Sequence, residues 1–155
     1  MSKINFPGVV FLLEFFFTTD VFSVQSCNLS TPSLVFPNYD SFQSQSTTAT
    51  GIITISCTEN APISYRLTLS AGHGTSFNPR YLANGHYKLN YNLYYNAFPP
   101  NGIIWGNGSG GSHPLIKVNV NCYPSCQDVV YGSIPGSQNV APGVYTATIQ
   151  LILFY

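Results

Sequence analysis

"TATIQLILFY", Thr146–Tyr155, alternates polar and apolar residues and then runs apolar without a break over its last five positions. Strand periodicity puts Ala147, Ile149, Leu151, Leu153 and Tyr155 on one face and Ile152 and Phe154 on the other. A strand apolar on both faces needs cover on both, and no further residue follows Tyr155 to supply it. The fold turns on this stretch. It is either an inner strand of a closed sandwich or a strand whose neighbour comes from another chain.

The preceding sequence is a β context. In "PISYRLTLS", Ile63, Tyr65, Leu67 and Leu69 alternate with Ser64, Arg66, Thr68 and Ser70; in "YKLNYNLYY", Tyr87, Leu89, Tyr91, Leu93 and Tyr95 alternate with Lys88, Asn90, Asn92 and Tyr94. Shorter runs, "GIITISC", "LIKVNVN" and "DVVYGSI", sit between Gly, Pro, Asn and Ser turns, and no segment sustains a helical period. Strands at this spacing with no helices between them predict an all-β antiparallel sandwich or barrel.

Composition sets the class. The chain has 155 residues, 45% hydrophobic and 15% aromatic, enough for one core and a single globular unit. Charged residues make up 6%, against roughly a quarter in an average soluble protein, and the formal net charge is zero. So few cations build neither a nucleic-acid groove nor a basic membrane-binding face. Lys3 precedes the apolar run "FPGVVFLLEFFF", with small residues following at Ser23 and Ser26. Residues 1–26 read as a signal peptide, leaving residues 27–155 as one exported domain.

An even cysteine count in an exported chain predicts two disulfides among Cys27, Cys57, Cys122 and Cys126. Three pairings exist. The short "CYPSC" spacing favours Cys122 with Cys126 as a loop staple, which leaves Cys27 with Cys57 as a long-range clasp.

Nothing in the sequence marks an enzyme. Beyond the leader the carboxylates are Asp40, Glu59 and Asp128, each read as alone in a polar loop, which gives no paired acid and base. His73, His86 and His113 lie in turn-like sequence without metal-ligand spacing, and no GxSxG-type nucleophile signature occurs. No cofactor is expected. The "GNGSGGS" patch, Gly106 to Ser112, reads as a flexible surface loop.

Taken in order, "ITISCT", "YRLTLSAGHG", Arg80, "LNYNLYYN", "WGNG", "VYGSI" and "PGVYTATIQLILFY" resemble the spore coat protein U domain, which is also the subunit of archaic, Csu-type chaperone-usher pili. The resemblance runs from Cys27 to Tyr155. It implies an incomplete immunoglobulin-like sandwich lacking its last strand, with Cys27 bonded to Cys57. It also implies a groove beside Ala147, Ile149, Leu151, Leu153 and Tyr155. A periplasmic pilus chaperone would fill this groove first and the extension of a neighbouring pilus subunit afterwards, with passage through an outer-membrane usher to a cell-surface pilus.

A polymerising subunit would carry roughly ten alternating residues before its first cysteine. Here Val21 or Phe22 and Val24 are all that "TTDVFSVQS" offers. The expectation is a strand acceptor at the fibre tip or acting as a cap. A tip binds something, and Phe98, Pro99 and Ile103 in "AFPPNGII" and Tyr123 in "CYPSC" are the candidate adhesive loop residues. The competing reading is a self-sufficient secreted module that binds a surface or carbohydrate and does not polymerise.

Overall fold

The structure, a computed structural model, describes residues 24–31 and 33–155. The leader reading therefore lies outside the described residues over residues 1–23. Nine strands follow in order: β1 Cys27–Ser30, β2 Thr47–Cys57, β3 Pro62–Leu69, β4 Arg80–Asn84, β5 Tyr87–Tyr95, β6 Ile103–Ile104, β7 Leu115–Asn121, β8 Cys126–Ile134 and β9 Leu151–Phe154. There is no helix among the described residues.

Two sheets pack face to face. One has the order β1-β2-β8-β5-β4, with β6 also pairing β5; the other has the order β7-β3-β9; every ladder is antiparallel. The period-2 pattern explains the core directly. Ile53 and Ile55 of β2, Ile63, Tyr65, Leu67 and Leu69 of β3, and Leu89, Tyr91 and Leu93 of β5 are all buried, meeting between the sheets over Trp105. The Trp105 indole is fully enclosed and donates from Nε1 to the Leu67 carbonyl at 3.1 Å, so the one buried indole N–H is satisfied.

Three polar residues depart from the alternation. Asp128, read from sequence as a lone loop carboxylate, lies within β8 and is 4% exposed, because the "DVV" run continues a ladder with β2 instead of leading into it. Tyr65 donates to its Oδ2 at 2.6 Å and Lys117 forms an ion pair with it, a clasp joining β3 and β7 to β8. Asn92 is buried on the supposedly polar side of β5, accepting from Arg80 at 2.6 Å. Arg80 itself is 1% exposed; it also donates to the carbonyls of Trp105 (2.5 Å) and Ser70 (3.1 Å) and lies over the Phe77 ring. A guanidinium fork thus joins the Asn92 side chain, in the middle of β5, to the carbonyls of Ser70 and Trp105, each just past a strand end.

Both disulfides form at one pole, Cys27 with Cys57 and Cys122 with Cys126, and the Cys57 amide donates to the Cys122 carbonyl at 3.0 Å.

Candidate functional site

The two ends of the smaller sheet differ. At β7 the edge carries Lys117, a register irregularity opposite Ile63 and Tyr65, and Asn119 at a positive φ of 58°. Charge and irregularity of this kind keep an edge from pairing with other chains. Residues 144–155, which contain β9, hold no charge and no proline. This second edge is unprotected.

Its backbone groups can be assigned. Ser70 donates to the Gln150 carbonyl at 2.9 Å and accepts from the Gln150 amide through Oγ at 2.9 Å; Thr146 exchanges both backbone bonds with Ala83, at 2.8 and 3.0 Å. The even-numbered residues thus turn their amides and carbonyls inward to the protein. Alternation turns those of Ala147, Ile149, Leu151 and Leu153 the other way, along the free edge. The same four residues point half-buried side chains at the core. One row of residues therefore lacks both a backbone partner and full apolar cover.

A groove of about 760 Å³ runs beside this row. Its floor is Ile53, Leu89, Tyr91, Leu93, Val130 and Ile134; its far wall is residues 33–39, "SLVFPNY", a strap outside both sheets. No charged side chain lines it. Leu34 and Phe36 hold the strap in place by filling a trough over Gly132, where a Cβ would sit 2.6 Å from Phe36 Cζ and 2.8 Å from Leu34 Cδ2. Phe36 also meets the Tyr91 ring edge-on. Among the described residues, no backbone–backbone hydrogen bond joins residues 33–38 to another segment. Both lips of the groove thus present free peptide groups. At one end Thr146 closes it against Ala83; Leu153 and Tyr155, which continue the strand past Leu151, lie beyond its lining, and the exposed Tyr155 accepts at its hydroxyl from the Cys27 amide at 3.1 Å.

Burial shapes the titratable groups nearby. It pushes the Tyr91 phenol up to about 12, an effect that the neighbouring Arg80 tempers, and it pulls the Arg80 guanidinium down to about 10. Burial, reinforced by the hydrogen bond to Asp128, also raises the Tyr65 phenol. Among the described residues no cluster of three or more His, Cys, Asp or Glu is placed to hold a metal ion.

The four candidate adhesive residues do not form one patch. Phe98 is half-buried, its ring edge-on to Tyr131 at 5.0 Å, because residues 96–102 fold back over the larger sheet instead of projecting from it. Pro99 is exposed, and Ile103, 36% exposed, borders a second, shallow cleft with Tyr95, His113 and Lys117. Tyr123, 49% exposed, stands in the disulfide-stapled loop. Tyr131 and Cys126 are five residues apart on β8, about 17 Å at strand rise, so Phe98 and Tyr123 serve separate surfaces.

The strap and its glycine trough are the parts of the site that the sequence reading missed. The signal available was the alternation of Leu34 with Phe36, masked by Pro37 directly after it.

Compared with solved structures, the chain is similar to a chain of the crystal structure of the CsuC-CsuE chaperone-tip adhesion subunit pre-assembly complex from archaic chaperone-usher Csu pili of Acinetobacter baumannii. The TM-score is 0.58 at 17% identity, covering 85% of this chain but 40% of the length of that one. The E. coli Hda pilus minor tip subunit, HdaB, aligns with a TM-score of 0.40 at 17% identity, over 81% of this chain and 79% of that one. No curated protein matches. The family description "Spore Coat Protein U domain" matches residues 14–151. With an antiparallel immunoglobulin-like sandwich open along one edge, and with that match over most of its length, this chain belongs to the spore coat protein U domain family.

Proposed function

We propose that the chain is a structural and adhesive subunit of a chaperone-usher pilus whose groove is completed by a strand from another protein. The observation that carries this is the uncovered row Ala147, Ile149 and Leu151, continued by Leu153 on the same edge, along an uncharged groove with free peptide groups on both lips. An extended apolar segment laid there would gain backbone bonds on two sides. It would also complete the burial of four side chains, each worth on the order of 1 kcal/mol. The occupants are a periplasmic chaperone, then the extension of a neighbouring subunit, with an outer-membrane usher as the exit route. Placement at the tip or as a cap draws its support from the reading of residues 1–26 as a leader, and Phe98, Pro99, Ile103 and Tyr123 are the proposed contacts with a surface.

A face-specific substitution tests the proposal. Ile149→Asp or Leu151→Asp should abolish co-purification with the chaperone, whereas Ile152→Asp, on the outer face of the same strand, should preserve it. Equal loss in all three, or in none, would count against the groove.

A further inference from the structure

We infer that the cleft beside Ile103 is a binding site for a carboxylated sugar, the unit of uronic acid polysaccharides. The inference names a ligand class for the adhesive reading, on which it rests, but it is independent of the groove. β7 and β9 are opposite edges of the smaller sheet, so a sugar at one and a donated strand at the other do not compete.

Backbone pairing builds the site. Tyr95 and Ile103 are directly opposed between β5 and β6. The Ile104 carbonyl accepts from the His113 amide at 2.8 Å and the His113 carbonyl from the Gly106 amide at 2.9 Å, in a parallel bridge between Trp105 and His113. Three adjacent segments thus hold Tyr95, Ile103 and His113 in fixed relation. Leu115 and Lys117 of β7 close the cleft from the smaller sheet. Its volume, about 580 Å³, lies within the range of small-ligand sites.

The lining is mixed in the way a charged sugar requires. Ile103, Pro114, Ile116 and the half-buried Tyr95 ring offer apolar surface to the C–H face of a pyranose. The Tyr95 hydroxyl, the Asn96 amide and the His113 imidazole have no hydrogen-bond partner among the described residues, which leaves them to sugar hydroxyls. No Asp or Glu lines the cleft. Lys117 supplies the charge: its ammonium carries three donors, Asp128 takes one from the core side, and the side chain stays 39% exposed. A carboxylate at that end gains a charge-assisted bond that a neutral group does not. A peptide fits less well. Only Leu115 to Lys117 pair regularly with β3 before the register shifts, fewer than the five or six residues of a usual strand.

Isothermal titration of the full chain, with its disulfides intact and within its chaperone complex if it purifies as one, should detect binding of trigalacturonate. The methyl ester of the same trisaccharide should bind about tenfold more weakly. Ile103→Asp should cause a comparable loss by setting a carboxylate in the cleft, whereas the near-isosteric Ile103→Asn should retain most of the binding. His113→Ala should weaken it. Lys88→Gln removes a charge on β5 outside the cleft and should change nothing.

No binding, equal binding of acid and ester, equal effects of the two Ile103 substitutions, or a loss on Lys88→Gln as large as on His113→Ala would each overturn the inference. The two proposals fail separately. A chain that forms the one-to-one chaperone complex yet ignores trigalacturonate refutes the sugar site and leaves the strand acceptor intact. A chain that binds the sugar acid but never a chaperone does the reverse.

Discussion

Arg80 and Asp128 show how far a single residue could be read. Arg80 was visible only as part of a family resemblance, and Asp128 was placed in a loop; both are buried ends of polar networks whose partners lie up to 63 residues away in sequence. Local pattern carries no such information. Arg80→Lys keeps the charge but loses the fork, stranding at least one of the Asn92 and Trp105 oxygens, and should cost roughly 2–4 kcal/mol in thermal or denaturant unfolding. Asp128→Ala should cost about 3 kcal/mol by leaving Tyr65 and Lys117 without their acceptor. Asp128→Asn should cost less, since the Lys117 side chain is 39% exposed and can be solvated. The phenols predict a pH dependence. In the folded chain Tyr91 titrates at about 12 and Tyr65 is also raised, whereas an unfolded phenol titrates near 10. Raised folded values mean that this stability is fully present below pH 10 and is lost as pH rises through about 12. Absorbance titration near 295 nm should show three phenols, Tyr65, Tyr91 and Tyr94, ionising late, together with unfolding; Tyr91→Phe should remove one of them. Phe98→Ser should cost about 1–2 kcal/mol through its contact with Tyr131. Tyr123→Ser should leave stability unchanged, making it the cleaner probe of adhesion.

At the scale of elements, β2, β3, β5, β7 and β8 were legible because each alternates over five or more residues and ends at a turn residue. The short β1, β4 and β6 were not, since two to five residues carry too little periodicity and depend on neighbours for their pairing. The strap was invisible for a different reason. Its role depends on Gly132 lying beneath Leu34 and Phe36, a contact between segments about a hundred residues apart that no local window contains. Gly132→Ala should push Phe36 and Leu34 outward and lower stability by about 1–3 kcal/mol. Pairing the substitution with Phe36→Ala should recover part of that loss if the clash is with the Phe36 ring, as a double-mutant cycle would measure.

For the whole molecule, the spacing of the alternating strands implied the sandwich, and the apolar residues on both faces of "TATIQLILFY" required cover on both, which left a closed sandwich and a strand covered by another chain as the two readings. The sequence could not say which edge was protected and which was open. That contrast depends on the irregular register of β7 against β3 and on the sheet-switching path of residues 144–154 from Ala83 to β3. It is the basis for reading the molecule as an acceptor of a strand. The most direct measurement is size-exclusion chromatography of the soluble periplasmic fraction after expression with and without the chaperone. The account predicts a one-to-one complex that appears only when the chaperone is present. A stable, cooperatively unfolding free monomer, unchanged by the chaperone, would show that the sandwich closes on itself and would contradict it.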